Sequence, residues 1–306
     1  MAGHGTERTT AVLRISLAAT FLYVLITFLA GLRAHSLALI SEAGHNASDF
    51  LALLLSWGAL WMQSRPPTST KTFGYHRAGV LAAFINALTL AGVAFYIFYE
   101  ALRRLAYPQA VRPQLMVYVA AAGVVMNGAI AFMLHRSSRH SDVNIRSSFI
   151  HMLGDTVSTA AVIVGGWAIY LTGRNWIDPA LSFAIGALIL WSSWGIIRET
   201  LNILLEGTPR GINVDRIVAR VRQIEGVHQV HDLHVWSIGS DSHSLSCHIG
   251  IADIPPSASE GILRQAKEML RREFHIHHTT IQFEHEECEV AHGCVIPVGS
   301  AHHHSH

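Results

Sequence analysis

Runs of about twenty apolar residues, the length that carries a helix across a hydrocarbon core, recur along most of the chain and restrict its fold more than any other feature. They fall at residues 11–32, 37–62, 79–102, 115–134, 147–171 and 180–203. In lipid only helices and closed barrels satisfy the backbone, so the expectation is an α-helical polytopic membrane domain of six transmembrane helices, both termini on one side. Half the residues are hydrophobic and only 14% are charged, too apolar for an ordinary soluble domain. A formal charge of +1 speaks against a nucleic-acid partner. Arginine and lysine lean toward the segments before the first span and after the second and fourth, which with the polar C-terminal part places both termini in the cytoplasm. Residues 1–10 are polar and the first apolar run is long enough to span, so no cleavable signal peptide is expected.

Ionisable residues inside such spans need a reason, because each costs roughly 2.5–3.5 kcal/mol at the bilayer centre. His45 and Asp49 stand four residues apart in the second span, and His151 and Asp155 repeat that spacing in the fifth. In a helix the i and i+4 side chains share a face. Two such helices facing one another would form a His2Asp2 cage, in which two carboxylates cancel the charge of a divalent cation and two neutral imidazoles complete its shell. A closed N2O2 tetrahedron suits Zn2+, with Co2+, Cd2+ and Ni2+ as alternatives, whereas Mg2+ or Ca2+ would require more oxygens and Cu(I) sulfur. Asn86 and Asn127 in spans three and four are expected to make interhelical hydrogen bonds. Gly165 and Gly166 should permit close helix approach. Asp178-Pro179 reads as an N-cap and first turn opening the sixth helix.

After Glu206-Gly207-Thr208-Pro209 the composition turns soluble. An amphipathic helix over 213–224, strands over 227–238 and 244–252, a helix over 259–274 and a short strand over 279–283 predict a small α+β domain in the order αββαβ. The domain boundaries are expected at 1–206, 207–290 and 291–306, the last a His-rich tail ending His302-His303-His304-Ser305-His306. All three cysteines, Cys247, Cys288 and Cys294, lie in this polar part, consistent with a reducing cytoplasm or a thiolate metal site.

Several of these segments together resemble the cation diffusion facilitators of the zinc-transporter type. The matching residues are Ala43-Gly44-His45 through Asp49, Phe73-Gly74-Tyr75-His76-Arg77, His151 through Asp155, Trp176-Ile177-Asp178-Pro179 and Val230-His231-Asp232-Leu233-His234-Val235-Trp236. The resemblance implies a homodimer in a membrane, the bacterial inner one, with a metallochaperone-like cytoplasmic domain and metal/proton exchange. It makes His45, Asp49, His151 and Asp155 the transport site. It further implies a regulatory zinc site from His231, His248, His277 and Glu284, with Cys288 and Cys294 as added ligands, although their spacing departs from CxxC. Arg77 and Glu206 would form a charge link between the membrane and soluble parts. His76 ranks last among the candidates, since Gly79 stands where many relatives carry an acid.

An exporter of divalent metal by alternating access is therefore the expected function, not an enzyme. An intramembrane zinc hydrolase would need an open coordination position and a general base, and no HExxH is present. A sensor confined to the C-terminal domain would leave two intramembrane His/Asp pairs without purpose.

Overall fold

The computed structural model describes residues 3–137, 143–239 and 242–285, with side chains described for all of these except 3–17, 53, 56, 60, 130–131, 133–137 and 143–153. Six long helices come first: α1 (Gly3–Ala34), α2 (Leu37–Gln63), α3 (Ala78–Ala106), α4 (Pro113–Ser137), α5 (Val143–Thr172) and α6 (Ile177–Leu204). They run past the apolar segments read from the sequence, because a helix continues until a capping residue or a proline stops it, not where hydropathy falls. Among the described residues, Ala78–Ala106, Gly154–Thr172 and Ile177–Leu204 are long and apolar enough to cross a membrane. Large apolar side chains point outward, including Trp191 at 78% exposure and Trp57 at 72%. Such a surface suits lipid rather than water.

The chain divides into two compact units, one of residues 1–60 with 82–198 and the other of residues 61–81 with 199–306. In the first, the buried core is rich in alanine: Ala30, Ala34, Ala38, Ala94 and Ala120 pack with Leu39, Ile97, Met116 and Val162. Small residues let helix backbones approach, the main source of packing energy where lipid tails are as apolar as leucine. Gly165 and Gly166 behave as expected. A Cβ on Gly165 would sit 2.8 Å from Leu181 of α6, and one on Gly166 2.7 Å from Val117 of α4.

Asp178 does something other than cap its own helix. It lies in the first turn of α6, fully buried. Its carboxylate accepts from Ser36 Oγ at 2.6 Å, from Leu37 N at 2.7 Å and from Ala38 N at 3.3 Å. It therefore caps α2, satisfying amides that the first turn leaves without intrahelical partners, while the first amides of its own helix, those of Ile177, Asp178 and Ala180, donate to the carbonyl oxygens of Arg174, Asn175 and Trp176. Arg104, held by Glu100 at 2.9 Å, stands 3.9 Å from the same carboxylate. Asn86 exchanges hydrogen bonds with Ser48, linking α3 to α2 as expected. Asn127 departs from expectation: it is 2% exposed and its Nδ2 has no partner among the described residues.

In the second unit the elements follow as α7 (Val214–Val221), β1 (Val227–Ser237), β2 (His243–Ile251), α8 (Pro256–Phe274) and β3 (Ile276–Glu284). Asn213 caps α7 by accepting from Arg216 N at 3.0 Å. The sheet order is β1-β2-β3, with β1 antiparallel and β3 parallel to β2. One face buries Val230, Val235, Leu245, Cys247 and Ile249 against Ile217 and Val221 of α7 and Ile262 and Leu270 of α8. By strand alternation the other face carries Ser246 and His248.

Candidate metal centres

Within the membrane unit, α2 and α5 bring three of the four proposed transport ligands together. His45 Nε2 lies 3.1 Å from Asp155 Oδ1 and 3.8 Å from Asp49 Oδ2. One ligand atom from each of the three can be chosen so that all lie within 4.8 Å of one another, as a shared ion requires. Asp155 is buried, and Asp49 is the most open of the three, at 30% side-chain exposure against 18% for His45. The i, i+4 spacing on α2 aims both of its donors at α5, as the periodicity dictates. The side chain of His151 lies outside the described residues. Its backbone is in α5, one turn before Asp155, just as Asp49 is one turn after His45. The two helices run in opposite directions at this contact, since moving back from His45 to Glu42 meets Thr159, beyond Asp155. Moving forward to Asp49 therefore meets the turn that holds His151.

Two buried residues of this region escaped the sequence reading. Glu42 and Thr159 are each 0% exposed and hydrogen-bonded across the two helices. The signal was present: a third ionisable residue three positions before His45, hence on the same helical face.

In the second unit a strand register builds another donor set. His231 pairs directly with His248 across β1 and β2, and His248 with Gln282 across β2 and β3. Glu284, two residues beyond Gln282, shares its face. His231 Nε2 is 3.0 Å from Glu284 Oε2, and His248 Nδ1 is 2.9 Å from Glu284 Oε1. The two imidazoles meet edge to face with centroids 5.4 Å apart. Both ring nitrogens of His231 are buried, and among the described residues neither has a partner of hydrogen-bond geometry. Two partly buried imidazoles gathered on one carboxylate are the donor chemistry that Zn2+ takes.

A β-bulge between His231 and His234 sets this face. Val230 and Val235 are five residues apart, so plain alternation would put them on opposite faces. The extra residue of the bulge returns both to the core. Asp232 accommodates it with φ 50°, a left-handed conformation that aspartate tolerates better than most. Its carboxylate then reaches His234 Nε2 at 2.8 Å and His248 Nε2 at 3.5 Å. Asp232 was not among the sequence candidates, and the odd spacing of the two valines is the clue that would have pointed to it.

The remaining candidates separate. His277 does not join His231, His248 and Glu284: it is exposed at the far end of β3, about 23 Å along the strand from Glu284 at 3.3 Å per residue, and lines an open groove with Arg220, Glu268 and Arg271. Cys288 and Cys294 lie outside the described residues. Arg77 meets Glu206 at 3.1 Å and also donates to the Ser237 carbonyl oxygen at 3.3 Å. Glu206 is the left-handed residue that closes α6, with φ 60° and the Gly207 amide returning to the Asn202 carbonyl. That turn directs its carboxylate to Arg77. His76 is exposed, and no metal-binding group among the described residues includes it.

Cys247 is buried against the inner face of the sheet. Burial, with the nearby Asp232 carboxylate adding to it, pushes its thiol up to about 12. A ligating or reactive sulfur must be a thiolate, so this cysteine is structural. In protein carrying Cys288→Ser and Cys294→Ser, Cys247 should resist iodoacetamide at pH 8 until the chain is unfolded. Its folded value lies above its unfolded one, so its contribution to stability is complete below about pH 9 and is lost as pH climbs toward 12. Rapid labelling of the folded protein at pH 8 would contradict the assignment.

Two family models divide the chain between them. Residues 13–205 match the cation efflux transmembrane domain, and residues 209–286 match the cation efflux protein cytoplasmic domain. The metal cation efflux system protein CzcD of Cupriavidus metallidurans is 36% identical over 94% of this chain and 89% of its own length. The zinc transporter ZitB of Escherichia coli is 34% identical over 93% of this chain and 90% of its own. The cadmium, cobalt and zinc/H(+)-K(+) antiporter of Bacillus subtilis is 35% identical over 86% and 85%. With a helical membrane domain, a cytoplasmic domain built on a small sheet, and matches that span both, the chain belongs to the cation efflux family of membrane metal transporters, the cation diffusion facilitators, and is not an enzyme.

Proposed function

We propose that this transporter exports Zn2+ from the cytoplasm in exchange for protons, through a site formed by His45, Asp49, His151 and Asp155. The observation that carries the reading is the convergence of His45 and Asp49 from α2 on Asp155 from α5 in a largely buried cluster of nitrogen and oxygen donors. Zn2+ suits two imidazoles and two carboxylates, and the name of the E. coli relative points the same way. Co2+, Cd2+ and Ni2+ are secondary substrates on the same chemistry.

Proton exchange follows from the donors. Each must be deprotonated to bind metal, so loading the site expels protons and protonation ejects the ion. Two carboxylates balance a divalent charge, so the loaded site is neutral, and the emptied site carries protons back. Alternating access moves α2 and α5 between inward- and outward-open arrangements around this fixed set.

The finer architecture belongs to the same proposal. All six long helices span the bilayer, with both termini in the cytoplasm, in a bacterial inner membrane. Residues 1–206 form the transport domain and 207–290 the αββαβ domain, with 291–306 as a metal-collecting tail. The protein works as a homodimer, a reading supported by the match of residues 209–286 to the family's dimer domain. His231, His248 and Glu284 hold a regulatory Zn2+, with tail cysteines Cys288 and Cys294 available to it. Arg77 and Glu206 couple the loop after α2 to the end of α6.

The test is metal-driven proton movement in proteoliposomes carrying an internal pH dye. Imposing a Zn2+ gradient should move protons the opposite way, with K+ omitted and added in parallel because the Bacillus relative is named for both counter-ions. Zn2+ uptake without any counter-movement of protons would refute exchange.

A further inference from the structure

Glu42 is the one fully buried acid of α2, one turn before His45, and the metal set does not include it. Its side chain is held mainly by α5. Thr159 Oγ1 bonds Glu42 Oε1 and lies 2.8 Å from the Asp155 carbonyl oxygen. Ser158 Oγ donates to Glu42 Oε2 at 3.3 Å. On its own helix, Asn46 Nδ2 reaches the Glu42 carbonyl oxygen at 2.8 Å and Oε1 at 3.3 Å. Two polar rungs therefore join α2 to α5 one turn apart: His45 to Asp155, and Glu42 to Thr159.

We propose that Glu42 is a positioning residue, which with Thr159 fixes the rotation and height of α2 against α5 so that His45 meets Asp155. One point of contact leaves two helices free to turn about it. A second contact a turn away, about 5.4 Å along the axis, removes that freedom, and a slip of a single residue would swing a ligand by roughly 100°. The single hydroxyl proton of Thr159 is shared between Glu42 and the carbonyl oxygen of Asp155, 2.8 Å away, so a displacement of Glu42 changes what the backbone of a ligand receives. The role requires hydrogen bonds across the helices, not a charge, and this separates it from that of a proton carrier.

The proposal rests on the transport-site reading, and the test keeps the two apart. Zn2+ uptake into proteoliposomes is measured for Glu42→Ala, Glu42→Gln, Thr159→Val, the Glu42→Ala/Thr159→Val pair and His45→Ala. Glu42→Ala and Thr159→Val should each raise the KM for Zn2+ by about tenfold, the scale for partners that orient metal ligands, with kcat changed by less than about twofold. The double variant should be no worse than the worse single variant, since both remove one rung. Glu42→Gln, which can still bond Thr159 and Ser158, should restore KM to within about threefold and keep the wild-type pH profile. Loss of transport or an altered pH profile in Glu42→Gln would overturn the proposal in favour of a proton-carrying carboxylate. An unchanged KM in Thr159→Val would overturn it as well, and that variant and Glu42→Gln suffice if Glu42→Ala does not fold. Retained transport in His45→Ala would instead sink the site reading on which the proposal stands.

Discussion

Asp155→Ala should lower metal transport by at least about 100-fold while leaving the helical domain folded, because loss of even an outer-sphere partner of a metal ligand costs 10–100-fold. Asp155 is the most buried of the three described donors and the only one of them on α5. Its removal takes away half of the carboxylate charge that would balance a divalent ion, together with the contact to His45 at 3.1 Å. Asp49→Ala should act in the same direction. Uptake of Zn2+ by proteoliposomes, with the unfolding midpoint in detergent measured beside it, separates loss of the site from loss of the fold. Undiminished transport in either variant would exclude that residue from the ion path.

Asp178→Ala should have the largest effect on stability, about 3–5 kcal/mol, the usual cost of breaking a buried charge pair from one side. Three hydrogen bonds to the start of α2 disappear at once. Arg104 loses a neighbour at 3.9 Å while keeping Glu100. Asp178→Asn should recover part of the loss, since its amide oxygen can still accept from the α2 amides. The check is the denaturation midpoint of purified protein in a fixed detergent. An unchanged midpoint for Asp178→Ala would mean that the α2 amides find other acceptors.

These two residues illustrate how far the sequence could be read. The His45/Asp49 spacing is a local statement about one helix, and four residues on a helix always share a face, so it was legible. The role of Asp178 was not, because its partners are 140 and more residues away. Reading Asp-Pro as a cap identified the right chemistry and assigned it to the wrong helix. The order of strands and helices in the C-terminal domain followed from period-two and amphipathic patterns. The bulge at Asp232 showed only in the odd spacing of Val230 and Val235, since one inserted residue leaves each flanking stretch regular by itself. His277 was carried into the metal set by resemblance alone. The parallel pairing of β3 with β2 places it beside the start of β2, at the opposite end from Glu284.

The central claim is that one Zn2+ sits among two imidazoles and two carboxylates inside the membrane domain, and X-ray absorption at the zinc edge tests it most directly. The protein would carry His231→Ala, His248→Ala and Glu284→Ala, with Cys288 and Cys294 replaced by serine, and would be loaded with one equivalent of Zn2+. The expected spectrum is four-coordinate, with only nitrogen and oxygen neighbours at about 2.0–2.2 Å and two imidazoles, falling to one in His151→Ala. A six-coordinate oxygen shell, or a spectrum unchanged by both His45→Ala and His151→Ala, would contradict it.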